Sequence, residues 1–214
     1  AEPHGRIRFS CPTGLIEPIS GLISSFLAKY PKVRLQLVAT DRPVDLIAER
    51  IDLALLVRAA LTSDAALTMR TLGLSTRILV AAPRLASEVA DVEQLAELPT
   101  LSTGDDAEDL EWQLEDEDGR SCSLRVVPRM GCADMMAVRH AAIDGLGIAI
   151  LPDHVCRDAL SDGRLVRVLP AWHGLKGIVH LVFTTRRGLP PAVRALIDHL
   201  AAGFQKELAP KAVF

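Results

Sequence analysis

The stretch Val33-Arg34-Leu35-Gln36-Leu37-Val38, then Pro43 with Val44 to Arg50, then Ile51-Asp52-Leu53-Ala54-Leu55-Leu56-Val57 decides how this chain is built. The first six residues alternate apolar and polar, as a strand with one covered face does. Pro43 sits at a first helical position and opens a helix over Val44 to Arg50. The last seven form a near-continuous apolar run, the pattern of a strand buried on both faces of a parallel sheet. Upstream, Ile7-Arg8-Phe9-Ser10 reads as a shorter strand, and Thr13 caps the helix after it. Leu15, Ile19, Leu22, Ile23, Phe26 and Leu27 recur at helical spacing, so that helix buries one face. It ends before Tyr30-Pro31, because a residue preceding proline disfavours the α region. Strand, helix, strand, helix, strand makes βαβ units and an α/β class.

A second set begins at Arg77-Ile78-Leu79-Val80-Ala81-Ala82, with Pro83 and Asp91 opening two short helices. Pro99-Thr100-Leu101 leads into a polar loop, Ser102-Thr103-Gly104-Asp105-Asp106. Glu111 to Val127 carries a turn signal at Asp118-Gly119 and reads as a hairpin. Asp134 to Ile143 is helical by pattern; Gly145-Leu146-Gly147 stops it, and Ile148-Ala149-Ile150-Leu151 is a buried strand ended by Pro152. Leu165 to Leu169 and Ile178 to Phe183 read as strands, and Pro190-Pro191 begins a last helix to about Lys206. This order implies two Rossmann-like lobes joined by two crossover strands. Residues 1–77 with 181–214 make the first lobe and 78–180 the second, with a cleft between them where strand ends and helix N-termini converge.

The chain has 214 residues, 49% apolar and 24% charged, which suffices for a packed core and excludes disorder as a general description. A net charge of −3 without any basic block leaves no electrostatic footprint for gripping nucleic acid alone. No apolar run approaches the roughly 20 residues that cross a bilayer. The N-terminus lacks the apolar region of a signal peptide, and the four cysteines (Cys11, Cys122, Cys132, Cys156) show no paired spacing, so free thiols in the cytoplasm are expected. The six histidines are scattered without metal-ligand spacing, and most read as surface or helix-face residues. Gly145-Leu146-Gly147 follows a helix and precedes a strand, the reverse of a phosphate cradle. The acidic run Glu108, Asp109, Glu111, Glu115, Asp116, Glu117, Asp118 lies on the hairpin and reads as a solvated face. With no nucleophile–base pair, no metal set and no cofactor motif, a small α/β enzyme is disfavoured.

Gly5-Arg6-Ile7-Arg8-Phe9, Phe26 to Val33, and Asp41-Arg42-Pro43-Val44-Asp45-Leu46-Ile47-Ala48-Glu49-Arg50-Ile51-Asp52-Leu53-Ala54 resemble the effector-binding domain of LysR-type transcriptional regulators. So do Ala142 to Pro152, Gly163 to Trp172 and Leu189 to Asp198. The resemblance spans the chain in order. It implies a periplasmic-binding-protein-like (type II) pair of lobes that binds a small effector in the cleft, and the helix termini expected there suit an anionic metabolite. It also implies side-by-side antiparallel homodimers, with tetramers in the full-length protein, and DNA binding through an N-terminal winged helix-turn-helix that this chain lacks. The family places an arginine soon after the Ile51 to Ala54 motif; here Leu55-Leu56-Val57 intervenes, so Arg58 is either a shifted anchor or not one.

The candidate effector contacts follow from strand ends. Cys11, Pro12 and Thr13 leave a strand and enter a helix, where unpaired N–H groups and the positive helix end suit a carboxylate. Ser102 and Thr103 hold the equivalent position in the second lobe, where an ordinary turn is the plainer reading, and Cys132 precedes the Asp134 helix. Thr40 follows the second strand. Arg58 has the fork for a bidentate carboxylate, with Arg70 a weaker version. Cys11 and Cys132 also invite a redox reading, because a helix N-terminus lowers a thiol pKa, against the plainer one of small buried hydrophobes. Ile16, Ile19, Ile23 and Leu27 on the first helix serve either the core or an interface. The rival function is a free-standing solute-binding protein for transport.

Overall fold

The computed structural model describes residues 2–60, 67–104, 109–184 and 188–208. Asp105 and Asp106 of the polar loop and Glu108 of the acidic run lie outside them. The chain divides into two units. One takes the residues up to Leu74 and again from Gly177, and the other takes Ser75–Lys176.

In the first unit, β1 (Gly5–Cys11) passes through a short 3-10 turn into α1 (Ile16–Lys29), and β2 (Val33–Ala39), β3 (Leu53–Arg58) and β4 (Leu67–Ser75) follow. The chain returns to it as β13 (Gly177–Thr184) and α5 (Pro191–Leu208). The sheet order is β2-β1-β3-β13-β4, with β1 parallel to both β2 and β3 and the returning β13 antiparallel to β3. The apolar spacing works as the periodicity requires. Ile19, Ile23 and Phe26 of α1 pack with Ile7, Phe9, Leu53 and Leu55 of the sheet and with Val193, Leu196 and Leu200 of α5. Ala54 turns to the other face, against Leu46, Ile51 and Val182, so β3 is buried on both sides. His180 of β13 is fully buried rather than superficial, and His154 in the other unit is buried too.

The expected helix over Val44 to Arg50 is absent; a single capped turn stands there. Asp45 accepts the N–H groups of Ile47 and Ala48 as a helix cap would. Arg50 then takes a left-handed φ of 53°, and the Ile51 N–H closes back onto the Leu46 carbonyl at 2.8 Å. Helix start and stop signals thus fall within seven residues, because Ile51 must re-enter the sheet. Asp52 fastens that re-entry: its carboxylate accepts the Arg8 N–H at 2.8 Å while its own N–H donates to the Arg8 carbonyl.

In the second unit, β5 (Arg77–Ala81) leads to α2 (Pro83–Ala86), a 3-10 turn at Glu93–Ala96, β6 (Thr100–Ser102), β7 (Leu110–Asp116), β8 (Ser121–Val126) and β9 (Pro128–Gly131). Then come α3 (Met135–Ile143), β10 (Ile148–Pro152), α4 (Asp153–Ser161), β11 (Val166–Arg167) and β12 (Trp172–Gly174). The sheet order is β8-β7-β12-β5-β10-β6-β9, with β11 paired to β5. The Asp118-Gly119 signal marks the β7–β8 hairpin, where Gly119 holds a φ of +81°. Glu111 and Glu115 face solvent as expected, but Asp116 does not. It is 5% exposed and accepts the N–H groups of Asp118 and Arg120. The strand expected over Leu165 to Leu169 shrinks to two residues, since Leu169 adopts a φ of 45° and turns the chain. Among the described residues no helix is long and apolar enough to cross a membrane.

Candidate functional site

Because β1, β2 and β3 run parallel, their C-terminal ends share one edge of the first unit's sheet. Cys11, Pro12 and Thr13 leave β1 there, Thr40 leaves β2, and Arg58 ends β3. The Thr40 N–H donates to the Cys11 carbonyl at 3.0 Å, which ties the first two strand exits together. Arg58 stands opposite Ile178 and three residues past Leu55, the position level with Cys11, so it reaches about 10 Å further along the edge.

Thr13 does not cap α1. Neither Pro12, before the 3-10 turn, nor Leu15, before the helix, makes a side-chain cap. Instead, Asp41 Oδ1 accepts the Thr13 N–H at 3.0 Å and Oδ2 accepts its hydroxyl. An anion does occupy the positive end of this helix, and it is the protein's own. The Thr40 hydroxyl oxygen accepts the Arg42 N–H at 3.3 Å. Cys11 is 1% exposed, and burial, with Asp41 nearby, pushes its thiol well above the ordinary range. Of the two readings of Cys11, the small buried hydrophobe fits: it points into the core, where a thiolate has no solvation.

The second unit has a matching edge, where β6, β9 and β10 run parallel and leave the sheet on the same side, β10 two residues beyond β6. Ser102 is buried and its hydroxyl accepts the Gly104 N–H at 2.9 Å; the Cys132 N–H donates to the Ser102 carbonyl at 3.1 Å, with Thr103 half-buried beside them. The start of α3 is again filled internally, since Asp134 caps it by accepting the Met136 N–H at 2.8 Å. Among the described residues, no group of three His, Cys, Asp or Glu side chains gathers to hold a metal.

Two residues escaped the sequence reading. Asp41 was legible only as part of a loop, because its role depends on a partner 28 positions away. Arg77 opens β5 opposite Pro152, the last residue of β10, so it belongs to the same edge as Ser102, two strand spacings across and two residues along, about 12 Å away. Its guanidinium has no hydrogen-bond or ion-pair partner among the described residues, and burial of part of the side chain lowers its pKa. Its signal in the sequence is a lone arginine immediately before the apolar run Ile78 to Ala81. Arg70, by contrast, is committed to Asp198 of α5 at 2.7 Å.

Residues 1–205 match the model of the LysR substrate binding domain. The HTH-type transcriptional regulator PtxR of Pseudomonas aeruginosa is 29% identical over 210 residues, which are 96% of this chain and 66% of that protein. An HTH-type transcriptional regulator of Xanthomonas campestris is 30% identical over 92% of this chain and 59% of its own length. The chain thus spans about two thirds or less of the curated relatives it matches. Among solved structures, the full-length Vibrio cholerae virulence activator AphB, a member of the LTTR family, superposes with a TM-score of 0.82 at 29% identity, over 94% of this chain and 69% of that one. CrgA of Neisseria meningitidis, at 22% identity and a TM-score of 0.79 over 94% of this chain and 68% of its own, shares the fold. The two α/β units therefore form the periplasmic-binding-protein-like type II architecture, and the chain belongs to the LysR substrate-binding domain family.

Proposed function

We propose that this chain is the effector-sensing part of a LysR-type transcriptional regulator, and that its ligand is a small organic anion. The family match over residues 1–205 carries the first half of this reading. The second half is supported by Arg77, a cation without a described partner on the same sheet edge as the Ser102 and Thr103 hydroxyls. In the first unit Cys11, Pro12, Thr13, Thr40 and Arg58 supply the corresponding edge, and Cys132 joins Ser102 in the second. A carboxylate would take its charge partner from Arg77 and its neutral hydrogen bonds from the hydroxyls and loop amides. Both helix starts near these edges already hold carboxylates, Asp41 and Asp134, so the arginine and not a bare helix end is the anchor.

In the full-length regulator, effector binding would shift the domain between two arrangements by no more than the ligand's differential affinity for them. A homodimer, with tetramers in the whole protein, would pass that shift to an N-terminal winged helix-turn-helix on DNA in the cytoplasm. No catalytic step belongs to this reading. Transport binding is the weaker alternative, because the relatives described above are HTH-type regulators.

A thermal-shift screen of small carboxylates and phosphates, with their neutral amides or alcohols as controls, tests the proposal. The expected result is a hit that requires its charge and loses about tenfold in affinity in Arg77→Gln, with melting nearly unchanged, and in Ser102→Ala, where loss of the Gly104 N–H acceptor also lowers stability slightly. Hits that bind equally well to both variants would remove these residues from the site.

A further inference from the structure

We infer a second binding site, for an amphipathic organic anion, on the opposite end of the first unit. Because β2 is parallel to β1, α1 must carry the chain back along the sheet. Its last residues therefore lie a helix length, about 21 Å, from the strand ends described above. There, Lys29 and Tyr30 at the end of α1, Leu189, and the first turns of α5 enclose a groove of about 580 Å³. That size accommodates a molecule of a few hundred daltons.

The charges in this groove are unbalanced. The Arg194 side chain has no hydrogen-bond or ion-pair partner among the described residues. The Lys29 ammonium rests 5.3 Å over the Tyr30 ring and has no carboxylate partner there. Asp198 is the one acid in the lining, and Arg70 already engages it at 2.7 Å. His199 is committed too: its Nε2 lies 3.0 Å from both the Leu22 carbonyl and the Ser25 hydroxyl. Two uncommitted cations thus border a concavity floored by an aromatic ring and aliphatic side chains. A carboxylate, sulfonate or phosphate headgroup would take the cations, and a flat or branched apolar body would lie on Tyr30 and Leu189. Small ligands bind best where a few polar groups converge on an apolar wall, and this groove has that composition.

The probe pair is 8-anilinonaphthalene-1-sulfonate and its uncharged analogue N-phenyl-1-naphthylamine. We expect saturable binding of the sulfonate, weakened by salt, with amide shifts in NMR spectra at Tyr30, Ala195 and Ala202. The double variant Lys29→Gln, Arg194→Gln should lose about tenfold or more for the sulfonate and leave the neutral dye unchanged, since only the charge contacts are removed. Thr13→Ala and Ser102→Ala should alter neither dye. Equal affinity of the two dyes, an unaffected double variant, or shifts confined to the strand-end residues would overturn the site. So would a double variant that changes the oligomeric state in sedimentation, which would mark the groove as a contact between copies. None of these results depends on the effector assignment, whose first-unit residues leave the strand ends at the start of α1 and whose remaining residues belong to the second unit.

Discussion

Asp41 grips Thr13 twice, taking its backbone N–H on Oδ1 at 3.0 Å and its hydroxyl on Oδ2. The carboxylate therefore does two jobs at once: it satisfies a donor that a helix start leaves without a partner, and it supplies the negative charge that the helix dipole favours. An incoming anion at this strand end must compete with a group that is already in place and pays no translational entropy.

Asp41→Asn tests that competition. The amide keeps one acceptor and loses the charge, so stability should fall by about 1 kcal/mol, the usual scale for a helix-start cap. Affinity for a small carboxylate at this edge should rise severalfold in calorimetric titration. An unchanged or weaker affinity would show that Asp41 assists the ligand rather than excluding it.

Arg77→Gln has a signature opposite to that of a structural arginine. The side chain has no described partner, and although the residue is exposed, partial burial of its stem lowers its pKa. Removing the charge should leave the melting temperature unchanged or slightly raised, whereas breaking a paired arginine destabilises. Anion binding should drop by about tenfold. A clear loss of stability would mean that the guanidinium holds the second unit together and is not waiting for a ligand.

How far such sites can be read in advance depends on the range of the interactions. The alternation in Val33 to Val38, the apolar run Ile51 to Val57 and the Asp118-Gly119 turn are local, and the elements stand where these patterns put them. The Val44 to Arg50 stretch has a local start signal, yet its length was decided by the need to bring Ile51 back into the sheet. β9 and β12 are too short to carry a pattern of their own; each exists because a neighbour offers a free edge. Thr13 and Asp116 were misread for the same reason. A hydroxyl or carboxylate in a loop shows its residue type in sequence, but its partner is chosen by the tertiary fold.

Gly203 is such a case on α5. A Cβ built there would overlap Leu22 Cδ2 of α1, so the two helices approach through the missing side chain. Gly203→Ala gains about 1 kcal/mol of helix propensity, yet overpacking of this kind costs about 1–3 kcal/mol. We expect a net loss in denaturant unfolding, partly recovered in Gly203→Ala, Leu22→Ala relative to Leu22→Ala alone. Additive effects in that cycle would mean that the helices simply move apart.

Gly147→Ala should be worse. Its Cβ would meet the Pro99 carbonyl oxygen and Leu101 Cγ, both at 2.9 Å, and the Pro99 carbonyl also accepts the Ile148 N–H at 2.8 Å. Backbone cannot yield as a side-chain tip does, so this variant should lose at least about 2 kcal/mol. The damage should appear as faster amide exchange in β10 and β6. A stability near wild type would show that the strand can shift as a body.

Asp116 makes the stability of the β7–β8 hairpin depend on pH. Burial alone would raise its pKa, but the Arg120 backbone N–H, the Arg120 guanidinium at 2.5 Å and the Asp118 N–H outweigh burial and hold the carboxyl below its ordinary value. A folded pKa below the unfolded one, which is about 3.9 for aspartate, gives a contribution that is complete above that value and disappears as pH falls through the folded pKa. The stability difference between wild type and Asp116→Asn should accordingly stay level from about pH 7 to pH 5 and shrink below about pH 4. The protection of the Asp118 and Arg120 amides, taken relative to their intrinsic exchange at each pH, should fall over the same acid range in the wild type only. If the difference persisted undiminished to about pH 2, the turn would be held by the shape of the Asp116 side chain and not by its charge.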